Sequence, residues 1–256
     1  MKIRVLGPYG GDMPGCFMTA FLLNDRLLMD AGTIGQVLDL KDQLGIRDVL
    51  ISHSHLDHCN ALPFFAVNIF SNDAPPVNIW ALQPTLDSIQ NHILNNQVWP
   101  DFTKIKKLNG TPVFELRRML EKEETRINGF QVIPVRVNHP VVTSGFVVTE
   151  GGKSLVYTAD TGITEEIWEA ANDAPNLRGI ITEVSYPNKM QKLAETSGHL
   201  TPAELKKELA KIRRKLDIPI FIYHMKPEYD AEIRKEIKDL RVPNIELLKT
   251  GKTYEL

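Results

Sequence analysis

Residues 52–58 read Ser52-His53-Ser54-His55-Leu56-Asp57-His58, which places three imidazoles and one carboxylate within six residues. The apolar run before them, Val49-Leu50-Ile51, is typical of a buried strand, and loops that leave such strands commonly carry functional groups. Neutral imidazole and carboxylate are ligands that suit zinc, iron and manganese. The stretch therefore predicts a metal site. Without a metal, it would be a cluster of partly exposed loop histidines.

The spacing within this stretch allows two metal positions. In extended chain the side chains alternate, so His53 and His55 point to one side and can share a metal. Where the chain then turns into a helix, Asp57 and His58 can reach a second position. Two metals about 3.5–4 Å apart can hold a bridging hydroxide and clamp a phosphate or carbonyl oxygen. Such a site needs more ligands than this loop supplies.

Three more candidate ligands each come just past the C-terminal end of a predicted strand: His139 after 130–137, Asp160 after 154–158 and His224 after 218–223. Any one of them alone would more often be a structural histidine or a helix-capping aspartate. Their repeated placement, together with the histidine-rich loop, predicts that all three complete the metal site.

The composition of the chain is that of an ordinary globular protein. Of 256 residues, 43% are hydrophobic and 24% are charged, which excludes a disordered or fibrous chain. Thirty basic against 32 acidic side chains leave a net charge of -2. With no basic run, this balance argues against a partner of extended nucleic acid. Two cysteines, Cys16 and Cys59, are too few for a disulfide scaffold.

Targeting and membrane signals are absent from the sequence as given. Gly7-Pro8 interrupts the N-terminus before the apolar core of a signal peptide could form. No apolar run reaches the roughly 18 residues that a membrane span needs. We therefore expect a soluble, cytoplasmic protein with no membrane partner.

The order of predicted elements indicates an α/β (α+β) fold with two packed sheets, each covered by helices. The predicted strands are 3–6, 17–23, 27–30, 48–52, 77–82, 130–137, 144–149, 154–158, 179–182, 218–223 and 245–248. The predicted helices are 35–44, 84–95, 164–171, 201–215 and 228–240. Thr201 opens the fourth helix as its N-cap, with Pro202 at the first helical position and Glu204 at the third. We predict one domain over 1–256, in which the polar segment 84–126 is a cap or insertion.

These residues resemble the metallo-β-lactamase superfamily of binuclear metal hydrolases. The motif order matches: a His-x-His-x-Asp-His loop, a later His, an Asp after a strand and a His after a strand. The resemblance implies a four-layered αββα sandwich. It assigns His53, His55 and His139 to a first metal, Asp57, His58 and His224 to a second, and Asp160 to both. Asp30, which ends a predicted strand, resembles the superfamily's structural aspartate near the site.

Within the superfamily, the likeness is greatest to the class II cyclic-nucleotide phosphodiesterases. It is carried by the 52–58 loop with Leu62-Pro63 behind it, by Asn91-His92-Ile93-Leu94-Asn95, and by Val98-Trp99-Pro100-Asp101-Phe102. The likeness spans nearly the whole chain. One departure is Ala61, which stands where many superfamily members have glycine.

A second motif narrows the chemistry. His199 lies in Ser197-Gly198-His199-Leu200-Thr201-Pro202, before a helix N-terminus that also favours an anion. It resembles the His-(Ser/Leu)-Thr element with which phosphodiesterases of this superfamily contact phosphate and protonate the leaving oxygen. The resemblance implies that His199 is the general acid and that Glu183 orients or charges it. Asp57 is predicted to be a catalytic residue as well as a metal ligand. The alternative interpretation is that His199 is only a residue at the start of a helix.

The resemblance implies an enzyme that hydrolyses 3′,5′-cyclic nucleotides, cAMP or cGMP, to 5′-nucleotides through a metal-bridging hydroxide. It implies two divalent metal ions, zinc first and manganese or iron as alternatives, a small cyclic nucleotide as partner, and a homodimer. Two dications would let a chain of net charge -2 present a cationic pocket. The alternatives are another phosphodiesterase of the fold, such as a tRNA 3′-processing endonuclease, and a non-catalytic metal-binding module. The endonuclease needs a basic RNA-gripping arm that this sequence lacks.

Residues 84–102 leave one question open. Trp99 and Phe102 offer aromatic faces that suit a purine base, which would make this segment a cap over the nucleoside. Buried aromatic residues are mostly packing residues, so they are equally expected to belong to the core or to a dimer interface. His92, on a helix lined by Leu and Ile, has no proposed metal role.

Overall fold

The structure is a computed structural model that describes residues 1–213 and 217–256. Its strands are β1 Lys2–Gly7, β2 Ala20–Leu23, β3 Leu27–Met29, β4 Asp48–Leu50, β5 Val77–Leu82, β6 Phe114–Met119, β7 Thr125–Ile127, β8 Phe130–Arg136, β9 Ser144–Glu150, β10 Lys153–Tyr157, β11 Leu177–Glu183, β12 Ile220–Tyr223, β13 Ile245–Leu247 and β14 Thr253–Glu255. Its helices are α1 Leu40–Gln43, α2 Leu56–Cys59, α3 Leu62–Ile69, α4 Gln83–His92, α5 Glu166–Asp173, α6 Gln191–Ser197, α7 Pro202–Leu209 and α8 Asp230–Asp239. Single 3₁₀ turns lie at Asn188–Met190 and Pro227–Tyr229. Over these described ranges, none of the helices is long and apolar enough to cross a bilayer.

The strands of the described residues form two sheets of seven. The first has the order β14-β1-β2-β3-β4-β5-β6 and the second the order β13-β12-β11-β10-β9-β8-β7. In each sheet four neighbouring strands are parallel, β3 to β6 in the first and β10 to β13 in the second. The carboxyl ends of parallel strands share one edge of a sheet, so the loops that follow them meet there.

Three apolar layers hold the sheets and helices together. The layer between the sheets takes side chains from both, among them Phe21 and Phe146. Helices α3 and α4 cover the outer face of the first sheet, and α5, α7 and α8 cover that of the second. On α3, Leu62, Phe65 and Ile69 recur at helical spacing and face the sheet. The result is the helix–sheet–sheet–helix sandwich that was predicted.

The capping box predicted at Thr201 is confirmed. The Thr201 hydroxyl accepts a hydrogen bond from the Glu204 amide at 3.4 Å, and the Glu204 carboxylate accepts one from the Thr201 amide at 3.0 Å. Helix α7 ends at Leu209, short of the predicted end at 215. Positions 214 and 215 of that prediction lie outside the described residues.

Other element predictions were wrong. The helix predicted over 35–44 is only α1, because the Asp39 side chain caps it by accepting from the Asp42 amide at 2.8 Å. The strand predicted from residue 17 begins at Ala20. Strands β6, β7 and β14 and helices α3 and α6 were not predicted, whereas the helical turn expected at Asp57 and His58 is α2. Strand β14 pairs with β1 from the opposite end of the chain, and such pairing leaves no local signal.

The segment 84–126 contributes to the layers of the first sheet. It includes most of α4, and β6 pairs in parallel with β5 as the edge strand. Between them Phe102 is buried in the first-sheet core, 5.9 Å from the Phe70 ring centroid. The Trp99 indole N–H donates to the Pro63 carbonyl at 3.1 Å, and its ring packs on Phe64. Phe102 is therefore a core residue, which removes it from the candidates for base contact.

Candidate metal centre

The predicted site residues gather where the two sheets present the ends of their strands. The loop after β4 in the first sheet carries His53, His55, Asp57 and His58. From the second sheet, His139 follows β8, Asp160 follows β10 and His224 directly follows β12. Strand direction thus brings residues more than 100 positions apart in sequence to one place.

His53, His55 and His139 form a first cluster. One ring nitrogen of each lies within 4.8 Å of the others, and His55 Nδ1 is 3.2 Å from His139 Nε2. Ser52 Oγ lies 3.0 Å from His53 Nδ1, and His139 Nδ1 lies 2.9 Å from the Gly198 carbonyl. Contacts of this kind fix the ring orientation and leave the other nitrogen free to bind a metal.

Asp57, His58, Asp160 and His224 form a second cluster. His224 Nε2 lies 3.4 Å from His58 Nε2 and 3.2 Å from Asp57 Oδ2. Asp160 Oδ2 lies 3.2 Å from His58 Nε2, 3.0 Å from His224 Nε2 and 4.0 Å from His53 Nε2 in the first cluster. One carboxylate oxygen therefore stands between the two clusters. The grouping matches the predicted ligand sets, whose roles as ligands remain a prediction.

The charge states of the two clusters differ when no metal is bound. Burial lowers the pKa of His53 well below its usual range and also lowers those of His55 and His139, which favours neutral imidazole in the first cluster. Burial also lowers the pKa of His58, but the Asp160 and Asp30 carboxylates outweigh it and raise the pKa well above its usual range. Burial raises the pKa of Asp160, and the His224 and His58 charges reverse the effect, leaving it well below its usual range. The Asp160 carboxylate also raises the pKa of His224 against the effect of burial, so the carboxylates of the second cluster favour protonated imidazole.

Asp30 supports the loop from the core side. Its carboxylate accepts from the Ser52 amide at 2.7 Å and the Ser52 hydroxyl at 2.8 Å, and lies 2.8 Å from His58 Nδ1. The Tyr157 hydroxyl of the second sheet donates to it at 2.5 Å. Asp30 is fully buried, so these four contacts satisfy a charge that would otherwise be costly. Asp30 lies where the resemblance placed it.

Three residues of the site have left-handed backbone conformations although they are not glycine. The φ angle is +55° at Asp30, +54° at Ala159 and +67° at His224. Each such position costs about 1–3 kcal/mol and persists only where the surroundings enforce it. At His224 the amide donates to the Pro8 carbonyl at 2.7 Å, which holds the turn. At these positions the left-handed conformation turns the backbone just past a strand end, next to the site.

Two glycines let the backbone approach the clusters closely. A Cβ on Gly10 would lie 2.4 Å from His224 Cε1, and one on Gly32 would lie 2.0 Å from the Asp57 carbonyl oxygen. Neither glycine was predicted as a site residue. The distances show that a side chain at either position would displace a candidate ligand.

A buried acid–base group lies beside both clusters. His199 Nδ1 lies 2.7 Å from Glu183 Oε1 and 3.1 Å from Ser185 Oγ. The His199 ring centroid is 5.1 Å from that of His139 and 5.2 Å from that of His224. Glu183 is fully buried and also accepts from the Thr161 amide at 3.1 Å. The two residues predicted as general acid and its partner are thus in direct contact.

The sequence of the chain matches a family model described as cAMP phosphodiesterases class-II over residues 38–218, more than half of its length. The chain belongs to the class-II cAMP phosphodiesterase family. The match takes in the 52–58 loop, Asp160 and His199, and it ends before His224.

Relatives with curated names are similar to part of this family member. The 3′,5′-cyclic-nucleotide phosphodiesterase 1 of Saccharomyces cerevisiae is 30% identical over 198 residues, which are 66% of this chain and 51% of that protein. A protein of Yersinia pestis named "Probable 3′,5′-cyclic-nucleotide phosphodiesterase" is 28% identical over 217 residues, 75% of this chain and 61% of that one. The chain therefore matches between about half and three-fifths of the length of these relatives.

Solved structures confirm the predicted metallo-β-lactamase fold. Unliganded yeast PDE1 superposes with a TM-score of 0.82 at 19% identity and covers 98% of both chains. The metallo-beta-lactamase fold protein YhfI from Bacillus subtilis superposes with a TM-score of 0.76 at 18% identity, over 99% of both chains. At these low identities, the superpositions show only that the chain has the same fold.

The side chains of this phosphodiesterase-family site fit divalent cations. Imidazole nitrogens and carboxylate oxygens, which can serve as metal ligands, face one another in both clusters. The fully buried His53 Nε2 has no hydrogen-bond partner among the described residues. Tetrahedral coordination with bonds of about 2.0–2.1 Å separates ligand atoms by about 3.3 Å. The separations of 3.0–3.4 Å within the second cluster are close to that value.

Sequence reasoning missed several residues of the site and left one histidine outside it. Ser185 Oγ, to which no role was assigned, lies 2.8 Å from His224 Nδ1 and donates to Glu183 Oε2 at 2.8 Å. Its position two residues past Glu183 was the available signal. His92 is exposed at the end of α4 and belongs to none of the metal-competent clusters found in the described residues.

Proposed function

We propose that this protein is a metal-dependent phosphodiesterase that hydrolyses 3′,5′-cyclic nucleotides, cAMP or cGMP, to 5′-nucleotides. The observation that carries the proposal is the buried Glu183–His199 pair set beside two His/Asp clusters in a chain of this family. The clusters, once they hold cations, could bind the phosphate anion, and His199 beside them could transfer a proton. Cleavage of a phosphodiester requires both functions.

Two divalent metal ions, zinc first and manganese or iron as alternatives, are the proposed cofactors. His53, His55 and His139 would hold one ion, and Asp57, His58 and His224 the other, with Asp160 between them. Bound there, the ions would neutralise phosphate charge and lower the pKa of water toward neutrality. Imidazole and carboxylate accept all three metals, so the donor set supports the class of ion.

His199 is the proposed general acid. Its Nδ1 is engaged by Glu183 at 2.7 Å, which leaves Nε2 as the nitrogen that can exchange a proton with substrate. Protonating the 3′-oxygen as its bond to phosphorus breaks would free it as the ribose 3′-hydroxyl, while the 5′-ester keeps the ribose joined to the phosphate. Glu183 is the proposed positioning residue, because a carboxylate on Nδ1 fixes both the tautomer and the orientation of the ring.

Asp57 has a proposed double role. Its Oδ2 contacts His224 within the second cluster, while its side chain remains 21% exposed. It is therefore the member of the second cluster that solvent reaches, and we expect substrate and water to approach from this side. Lys226 Nζ lies 3.9 Å from the same oxygen and adds positive charge there. An anionic substrate would be attracted to this side of the site.

A substrate panel tests the proposal. The zinc-loaded protein is incubated with cAMP, cGMP, bis-p-nitrophenyl phosphate, a precursor tRNA and a β-lactam, each with and without chelator, and the products are separated by chromatography. We expect 5′-AMP or 5′-GMP, loss of activity with chelator, and its return on adding metal. His92→Ala serves as a histidine control, because this exposed side chain lies outside the clusters.

Three results would contradict the proposal. Hydrolysis of the lactam alone would point to amide chemistry, and cleavage of the tRNA alone would point to the endonuclease alternative. Activity that survives exhaustive chelation would refute the metal dependence.

A further inference from the structure

An aromatic pair stands just outside the general-acid candidate. The Tyr186 ring centroid lies 5.9 Å from that of His199, with the ring planes 68° apart. On its other side, the Tyr186 ring is 6.3 Å from Tyr229. Both tyrosines are half-buried, so each keeps part of its surface open to solvent. The pair has no role in the chemistry proposed above.

Strand register explains why the pair is there. Strands β11 and β12 are parallel, with Glu183 aligned to Tyr223. Tyr186 and Lys226 each come three residues beyond this aligned pair, and the Lys226 amide donates to the Ser185 carbonyl at 3.2 Å. A 3₁₀ turn then places Tyr229, whose amide donates to the Lys226 carbonyl at 2.9 Å. The ends of β11 and β12 therefore place both rings on the same side of the site.

The two tyrosines are held differently. Tyr229 packs against the apolar core on the outer face of the second sheet. Within residues 1–213 and 217–256, Tyr186 is not among the side chains that pack against any of the three apolar layers. Of the two aromatic candidates in the 84–102 segment, Phe102 is a core residue and the Trp99 indole N–H donates to the Pro63 carbonyl. Tyr186 is therefore a supported ring with a surface left to contact a ligand.

We propose that Tyr186, backed by Tyr229, is the surface on which the nucleobase of the substrate stacks. This inference rests on the proposed function. With the phosphate at the His/Asp clusters and the leaving 3′-oxygen at His199, the ribose and its base must extend past His199, and Tyr186 is the next aromatic group. Every base has a π-face, so stacking tolerates both adenine and guanine.

Binding of two ligands that differ only in the base tests the inference. Isothermal titration calorimetry of the zinc-loaded protein compares 5′-AMP with ribose 5-phosphate, which carries the same phosphate and sugar. We expect the wild type to bind 5′-AMP roughly 10- to 100-fold more tightly, and Tyr186→Ala to remove most of that preference. Tyr186→Phe keeps a ring and should preserve it. Tyr186→Leu keeps apolar bulk without a ring and should behave like the alanine variant. Thermal unfolding of each variant verifies the fold.

The outcomes separate this inference from the proposed function. A wild type that does not hydrolyse cyclic nucleotides in the substrate panel refutes both. A wild type that hydrolyses cAMP but binds the two ligands equally refutes the stacking alone. So does a Tyr186→Ala variant that weakens both ligands to the same degree, because Tyr186 would then act through the phosphate site. If Trp99→Leu, and not Tyr186→Ala, removes the preference for 5′-AMP, the base contacts the 84–102 segment and the inference is refuted.

Discussion

At the residue scale, one hydroxyl group joins the two parts of the site. Ser185 Oγ contacts Glu183, His199 Nδ1 and His224 Nδ1 at 2.8, 3.1 and 2.8 Å. A carboxylate only accepts, so the serine donates its proton to Glu183 and accepts from ring N–H groups. Both imidazoles are then left with Nε2 directed away from this network. A ligand candidate and the acid candidate are therefore oriented by the same side chain.

Replacing the proposed acid separates catalysis from metal binding. His199→Ala should lower kcat on cAMP by roughly 10²–10⁴-fold, because proton transfer to the leaving oxygen is lost. The metal content, measured by atomic emission, should match that of the wild type. Loss of metal in this variant would make His199 a ligand and overturn its role as acid.

A close backbone approach gives a second residue-scale prediction. Gly10→Ala places a methyl group 2.4 Å from the His224 ring, so the ring or the loop must move. We expect loss of activity and of part of the bound metal, measured together by turnover and metal analysis. Gly15→Ala is the control, because a Cβ there meets no atom within 4 Å and only the backbone strain of φ +80° remains. Equal metal loss in both variants would contradict the steric explanation.

At the element scale, strand ends place most of the site, while His199 lies between helices α6 and α7. The parallel strands β10, β11 and β12 lead to Asp160, to the Glu183–Ser185 stretch and to His224. Helix α7 begins three residues after His199, and its capping box holds the turn between them. The local backbone at the site thus depends on how neighbouring elements begin and end.

The capping box gives a prediction for that turn. Thr201→Ala removes the side chain that accepts from the Glu204 amide and should lower the free energy of unfolding by about 1 kcal/mol. Thr201→Ser keeps the hydroxyl and should cost less. Denaturant unfolding of the zinc-loaded protein measures both. An alanine variant as stable as the serine variant would show that the cap adds nothing.

The sequence predicted elements unevenly, and the reasons are physical. Strand β5 was predicted at its observed bounds, Val77–Leu82, because a short apolar run with a period of two is a strong local signal. Strand β6 was missed, since its edge position exposes Arg117 and Arg118 and weakens the alternation. Strand β14 forms only through pairing with β1 at the other end of the chain.

At the scale of the whole molecule, the site lies between two sheets. The first cluster joins His53 and His55 of the first sheet to His139 of the second, and the second cluster likewise takes residues from both. Cations bound there would join the halves of the sandwich. The Tyr157–Asp30 hydrogen bond already crosses the same interface.

Zinc should therefore stabilise the whole protein, and more strongly at higher pH. The pKa of His58 is raised in the folded protein, so the protonated side chain stabilises the metal-free fold fully below about pH 6.5. That contribution is lost as pH rises through the folded pKa, and zinc no longer competes with the proton. The pKa of Asp160 is lowered, so its contribution is lost only in acid and is constant across this window.

Thermal unfolding measures this effect. At free zinc 1,000 times its Kd, one site contributes about 4 kcal/mol. We expect the rise in Tm on adding zinc to be larger at pH 8 than at pH 5.5, with the chelated protein as control. A rise that is absent, or larger at the lower pH, would contradict the assignment of His58 as a ligand.

The sequence by itself determined the chemistry of the candidate site. His53, His55, Asp57 and His58 are adjacent in the chain, so their donor types and spacing are legible without a structure. His139 and the other distant candidates were found because each follows a strand, which is also a local pattern. The four-layered fold followed from the resemblance that these motifs carry.

Only the tertiary structure decided which residues support that site and which residues it faces. Ser185 contacts the site through side chains brought together by separate strand ends, and Gly10 matters because a distant ring packs on its backbone. Phe102 became a core residue, and Tyr186 a surface beside His199, through packing between elements far apart in sequence. Long-range packing has no period or spacing along the chain, so a local pattern could place Ser185 near Glu183 but could not predict the contacts between distant elements.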